Sequence, residues 1–208
     1  MKVALIQAPV WWTIDPPLGL AQVAGGLRAA GHDVRVWDLN ILLWKDRLPQ
    51  YENMWLWEQS HFWNQPEVVE KFFADNRTLI DRYVDEILRS DCRVVGFSVY
   101  AGTQVASRLL AERIKKADPD RCVVFGGQFF FQEGRAAEIL RSGVVDAVLR
   151  GSGDVSFPRL VGDFQRLGRV SRSPGVVFRA GAELVDGGPP EHRASLDDLP
   201  FPEFTIFP

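Results

Sequence analysis

Short runs rich in β-branched and aromatic residues alternate with longer stretches of helical periodicity along most of this chain, and no other feature constrains its fold as strongly. That alternation is the mark of right-handed βαβ units assembled into a parallel sheet. Val3 to Gln7 reads as the first strand. From Leu18 to Ala30, the residues Leu20, Val23, Ala24 and Leu27 recur at helical spacing, and the pattern stops at Gly31, which suits the left-handed turn after a helix. Asp33 to Asp38 alternates apolar and polar, as a strand near a sheet edge does, whereas Val94 to Val99 is almost continuously apolar and predicts a central strand. Cys122 to Phe125 and Asp146 to Leu149 read as further strands, with helices predicted at Glu67 to Arg89, Thr103 to Lys116, Glu133 to Arg141 and Val155 to Leu167. Val176-Val177-Phe178 and Glu183-Leu184-Val185 predict a hairpin. The expectation is one α/β domain built on a doubly wound parallel sheet.

Two stretches fall outside this alternation. Asn40 to Gln65 dissolves into aromatic, polar and proline residues, too long for a routine connection, and reads as an insertion serving function or a partner. All seven tryptophans lie before residue 64, and five of them (Trp37, Trp44, Trp55, Trp57, Trp63) fall in or beside this insertion. From Asp186 onward, Gly187-Gly188-Pro189-Pro190 and the later Pro200, Pro202 and Pro208 have the composition of an extended connector. The expected division is a binding domain over 1–170, followed by a hairpin and linker over 171–208 leading to something further.

Composition removes several classes of function. The chain has 208 residues, a hydrophobic fraction of 46% and a charged fraction of 25%, which is ordinary for one globular core. Its 24 basic and 27 acidic residues are interspersed, leaving no basic face for nucleic acid. Two cysteines, Cys92 and Cys122, each open an apolar run and read as buried thiols; they are too few for a disulfide framework or a four-cysteine metal site. The start runs straight into a strand without a signal sequence, and no apolar run approaches membrane-spanning length, so a cytoplasmic location is expected.

In an open parallel sheet, ligands bind outside the carboxyl ends of the strands. The loops to inspect therefore contain Pro9, Val10, Trp11, Trp12, Pro17, Leu18 and Gly19 after the first strand, and Ser98, Val99, Tyr100 and Thr103 at the third. Gly126, Gly127, Gln128 and Phe129 follow the fourth strand, and Arg150, Gly151, Ser152, Gly153 and Asp154 the fifth. Adjacent glycines after a buried strand let a ligand approach the main chain, though they equally suit a tight strand-to-helix turn. Ser98 offers a hydroxyl or caps a turn, and Thr103 reads best as a helix N-cap. Gly151-Ser152-Gly153-Asp154 lacks the lysine of a phosphate loop, and the first strand is not followed by Gly-x-Gly-x-x-Gly. His32 falls at the opposite end of the sheet, as a solvated turn residue, and neither His61 nor His192 has a second ligand at metal spacing. No catalytic residue can be argued.

Six motifs in order carry a family resemblance: Pro16-Pro17-Leu18-Gly19-Leu20, Ala29-Ala30-Gly31-His32-Asp33-Val34, Val95-Gly96-Phe97-Ser98-Val99, Val124-Phe125-Gly126-Gly127, Val145 to Asp154, and Leu196-Asp197-Asp198-Leu199-Pro200-Phe201-Pro202. Together they resemble the amino-terminal cobalamin-binding domain of cobalamin-dependent radical S-adenosylmethionine enzymes. The resemblance implies a flavodoxin-like sheet of order 2-1-3-4-5, with the corrin over its carboxyl edge and the nucleotide tail passing Ser98 and Gly126-Gly127. Better-known cobalamin domains carry Asp-x-His-x-x-Gly after the first strand; here Pro9 to Gly19 contains no histidine. Base-off, histidine-off binding is therefore expected, with Trp11 or Trp12 a candidate to cover the lower cobalt face. The resemblance further implies S-adenosylmethionine and a 4Fe-4S cluster in a barrel domain, in cis or in trans, and a parent enzyme that uses the cobalt for methyl transfer or for a radical rearrangement, with a methyltransferase the expected case. The Cys-x-x-x-Cys-x-x-Cys motif of that barrel is missing from this sequence. A flavodoxin-like domain for a nucleotide or nucleotide sugar, and a module docking a partner through the tryptophan-rich insertion, are the competing readings.

Overall fold

In the computed structural model, which describes residues 1–191 and 195–207, alternate residues of the first strand, β1 (Lys2–Gln7), point into two different cores. Val3 and Leu5 join one cluster, Ala4 and Ile6 the other, as the two-residue period of a strand covered on both faces requires. Parallel to β1 run β2 (Asp33–Asp38) and β3 (Val94–Ser98), then β4 (Cys122–Gly126) and β5 (Ala147–Leu149). Their order, 2-1-3-4-5, is the doubly wound arrangement expected. The predicted hairpin, β6 (Val176–Ala180) and β7 (Glu183–Asp186), does not stand apart: β6 pairs antiparallel with β5 and extends the sheet to seven strands.

One face carries α1 (Leu18–Ala29) and the last helix, Gly153–Leu167; the other carries everything between. The helices between are α2 (Leu39–Lys45), α3 (Pro66–Asp75), α4 (Arg77–Arg89), α5 (Gln104–Ala117) and α6 (Arg135–Arg141), so the last helix is α7. Consecutive glycines in α1 serve two neighbours. A Cβ on Gly26 would lie 2.9 Å from the Asp154 carbonyl oxygen of α7, and one on Gly25 would lie 2.1 Å from the carbonyl oxygen of Phe201.

Three sequence expectations change in detail. The single helix expected over residues 67–89 is broken at Asn76, whose side-chain amide donates to the Phe72 carbonyl at 2.9 Å and competes with helix continuation. The 40–65 insertion is ordered: α2 is followed by two 3-10 helices, Pro49–Trp55 and Trp57–Asn64, and Trp63 is fully buried beside Trp55 and Phe72. Periodicity failed there because 3-10 turns follow a three-residue repeat. Finally, the proline-spaced tail is extended, as its composition implies, yet it lies along α1: Glu203 N donates to Ala21 O at 2.9 Å, Gln22 Nε2 to Pro200 O at 2.8 Å, and Arg28 pairs with Glu203 at 2.6 Å. No helix among the described residues is long and apolar enough to cross a membrane.

Candidate functional site

Strand register decides what meets at the carboxyl edge. Gln7, Ser98 and Gly126 are aligned across β1, β3 and β4, and one pleat deeper lies the row Leu5, Gly96 and Val124. Both rows face α1 and α7, because they share the parity of Val3 and Leu5. Above them opens a mostly apolar cavity of about 1000 Å³, at the upper end of the range for ligand pockets. Leu20 and Val23 of α1, Leu149 and Phe157 wall it, and Asp186, Gly188, Pro189 and Pro190 close the side beyond β7. A Cβ on Gly96 would come within 2.5 Å of the Phe157 ring, so this glycine sets how deeply the floor sits.

The expected site residues divide. Gly19, Ser98, Tyr100, Gly126, Gly127 and Gln128 line the cavity, as do Arg150, Gly151, Ser152, Gly153 and Asp154. Pro9, Val10, Trp11, Trp12, Pro17, Leu18, Val99, Thr103 and Phe129 do not. Pro17 occupies the N-cap position of α1 and Leu18 is exposed. Val99 is buried, its N–H bonded to Gly126 O at 2.7 Å and its carbonyl accepting from Phe129 N at 3.3 Å. Thr103 does sit at the N-cap of α5, but its hydroxyl turns back to accept from Tyr100 N at 2.8 Å instead of capping that helix.

The two glycines after β4 differ physically. Gly127 has φ of 109°, and a Cβ there would lie 2.5 Å from Val99 O, so strand packing alone demands glycine. Gly126 has no such need: its Cβ would meet Leu149 at an ordinary 3.5 Å. Gly126 is the position where the missing side chain keeps the cavity open.

The loop after β1 passes over the other face of the sheet. It is held there by Asn40, a fully buried residue that the sequence did not mark. Asn40 Oδ1 accepts from Trp11 N at 3.0 Å and from Trp55 Nε1 at 2.8 Å, while Nδ2 donates to the carbonyls of Trp11 and Trp12 at 3.2 and 3.3 Å. Trp11 thereby stacks on Tyr100, ring centroids 4.8 Å apart, and of these two rings Tyr100 lines the cavity. Trp12 instead stacks on Trp57 at 5.7 Å, and both rings are exposed.

Charge at the cavity is sparse. Among the described residues Arg150 is the one cation lining it, against Asp154 and Asp186. Arg150 already pairs with Asp186 and donates to Gly188 O at 2.9 Å. Gln7, fully buried in the edge row, donates Nε2 to Ala8 O at 3.0 Å and leaves Oε1 without a partner.

No histidine of the described residues lines the cavity. His32 is at the far edge, as expected, but is buried instead of solvated; desolvation first, and then the N-terminal ammonium, lower its pKa. His61 is exposed with Nδ1 3.0 Å from Glu58 O, and His192 lies outside the described residues. Both cysteines are buried, and desolvation pushes the Cys122 thiol up to about 12. Among the described residues, no group of three or more histidine, cysteine or carboxylate side chains could hold a metal ion.

No family model matches the chain. It is 26% identical over 182 residues to the hopanoid C-3 methylase of Methylococcus capsulatus, covering 88% of this chain and 28% of that protein. An uncharacterized methyltransferase of Pyrococcus horikoshii is 23% identical over 217 aligned positions, covering all of this chain and 39% of that protein. Among solved structures, the radical S-adenosylmethionine methyltransferase TsrM of Kitasatospora setae with tryptophan and aza-SAM matches at a TM-score of 0.60 and 20% identity, over 91% of this chain and 30% of that one. TsrM with cobalamin and a 4Fe-4S cluster matches at 0.59 and 19%, over 97% and 31%. This likeness establishes the fold. The chain spans well under half the length of each of these relatives.

Proposed function

We propose that the groove binds cobalamin, base-off and without a histidine ligand, and that the chain is the cobalamin-binding module of a radical S-adenosylmethionine enzyme, a methyltransferase. The observation that carries this reading is the pairing of a large apolar groove with almost no free positive charge. A nucleotide brings a phosphate monoester with close to two negative charges, and a nucleotide sugar a diphosphate, and either calls for several unpaired donors or cations at a loop. Cobalamin brings one phosphodiester, many amides and a broad apolar body, which suits Gly126, Ser98, Gln22, Gln128 and a single arginine. The names of the relatives, a methylase, a methyltransferase and a structure holding cobalamin, support the same choice.

Bound cobalamin supplies a cobalt able to carry a methyl group; this chain's residues bind, orient and shield it. The slot between the sheet, α1 and α7 would take the nucleotide tail, with Leu5, Val124, Leu149 and Phe157 as its apolar walls. Tyr100, with Trp11 stacked behind it, would cover the lower face, a role that falls less well to Trp12, which turns to Trp57. With only two cysteines, both buried, the chain leaves the iron–sulfur cluster and S-adenosylmethionine to a barrel in the same or a partner polypeptide. The exposed Trp12–Trp57 pair is the surface we assign to contact with that barrel.

The test is retention of hydroxocobalamin through desalting, compared between the native chain and Gly126→Leu. The position has ordinary room at its Cβ and lines the groove, so the variant, with its fold checked by circular dichroism, is expected to lose the red species. Absence of corrin absorbance on the native chain, or equal retention by the folded variant, would overturn the reading.

A further inference from the structure

The edge of the sheet opposite the groove carries a second cavity, of about 490 Å³, where the starts of β3 to β5 meet the ends of α5, α7 and β6. Its charged lining is Arg93, Lys115, Arg121, Arg169 and Arg179 against Asp120 and Asp146. The whole chain has a formal net charge of -3, so this concentration of cations runs against its overall balance.

Basic residues at helix C-termini ordinarily satisfy carbonyl groups, and two of these five do so. Arg121 pairs with Asp118 at 2.7 Å and donates to the carbonyls of Leu88 and Cys92. Lys115 pairs with Asp146 at 2.9 Å and donates to the carbonyls of Pro119 and Arg121, while Asp146 also accepts from Val123 N at 2.7 Å. The chain leaves α5 and α7 with its own backbone caps, Asp118 N to Ile114 O at 2.8 Å and Gly168 N to Phe164 O at 2.9 Å.

Three arginines remain. Arg93 lies over the Phe164 ring, 5.6 Å from its centroid. The guanidinium groups of Arg169 and Arg179 make no hydrogen bond or ion pair among the described residues. All three side chains are exposed, and Asp120 is the only lining carboxylate among the described residues left to oppose them. Like charges gathered at one cavity repel each other unless an anion lies between them.

We infer that this cavity is an anion site that takes a small phosphorylated molecule. Arg93, Arg169 and Arg179 supply the planar, bidentate donors suited to phosphate oxygens, and Phe178 and Val170 offer apolar wall to its organic part. The inference is independent of the groove, which lies at the other edge of the sheet.

Titration calorimetry with inorganic pyrophosphate, at an ionic strength held constant with NaCl, tests it on the full chain. One saturable site is expected, weakened at least tenfold in Arg169→Gln and in Arg179→Gln and unchanged in Arg77→Gln, which removes a cation away from the cavity. Amide chemical shifts should move at residues 168–170 and 178–180 and not at residues 126–128. Binding that is absent, unsaturable, or equal in all three variants would overturn the site. So would shifts centred on the carboxyl edge.

Discussion

Asn40 is where the structure makes its sharpest energetic statement. Its fully buried amide makes four hydrogen bonds, three to the backbone of Trp11 and Trp12 and one to the Trp55 indole. Asn40→Ala deletes all four at once. Each is worth about 0.5–1.5 kcal/mol net, and groups left buried without a partner add to the loss. Because Trp11 and Trp12 lie near the surface, water recovers part of it, and the expected destabilisation is about 2–4 kcal/mol. For a chain of this size that lowers the melting temperature by roughly 5–15 °C. Asn40→Asp keeps the acceptor for Trp11 N and Trp55 Nε1 but turns a carboxylate oxygen toward two carbonyls, so it should be no milder. Urea unfolding followed by far-ultraviolet circular dichroism measures both variants, and corrin retention reports whether Tyr100 loses its Trp11 support. A cost below about 1 kcal/mol for Asn40→Ala would refute the idea that this one amide fastens the loop to the insertion.

Other outcomes follow from the same packing. Gly127→Ala forces a side chain onto a backbone at φ of 109° with Val99 O 2.5 Å away, and should destabilise by about 3 kcal/mol or more in thermal melts, far beyond Gly126→Ala. Gly25→Ala raises the helix propensity of α1 by about 1 kcal/mol yet pushes a Cβ onto Phe201 O, so its melting temperature should change little while hydrogen-exchange protection of the Glu203 amide is lost. Acid should release the same strap: hydrogen bonds from the Thr205 hydroxyl and amide, and then Arg28, hold Glu203 below its ordinary 4.5. The folded strap thus binds fewer protons than the released one, and protection of the Glu203 amide, full above pH 4.5, should fall as pH drops through the depressed value.

What could be read from the sequence was whatever repeats locally. The inner strands declare themselves because each must be apolar on two faces, and Gly31, Gly127 and Gly151 mark turns with positive φ. The residues grouped at the carboxyl edge were found because loops after parallel strands must converge there. What was missed is set by register and by neighbours distant in sequence. Gly96 and Phe157 form the floor across 61 residues of chain, and Asn40 joins a loop 29 residues away, with nothing local to announce either. Of the aromatic residues expected after the first and third strands, Tyr100 lines the groove, while Trp11 stacks on it and Trp12 turns to Trp57. Of the two readings the sequence leaves open for the glycine pair, the tight turn accounts for Gly127, where a Cβ would meet Val99 O.

The groove and the strap share a helix, and this ties the proposed ligand site to the chain's last described residues. Gln22 lines the cavity and also donates to the Pro200 carbonyl at 2.8 Å; three residues further on, Gly25 has no room for a Cβ under Phe201. A side chain held from one side by the strap presents a fixed surface to whatever lies on the other. Freed from Pro200, Gln22 recovers rotamer freedom worth up to about 2 kcal/mol, which a ligand contacting it would have to remove. Gly25→Ala therefore has a second expected consequence: hydroxocobalamin retention weakens together with Glu203 protection, although no groove residue has been altered. Retention at the native level in a variant whose strap has demonstrably lifted would mean that the groove holds its shape without the strap, and would confine the role of residues 199–207 to covering α1.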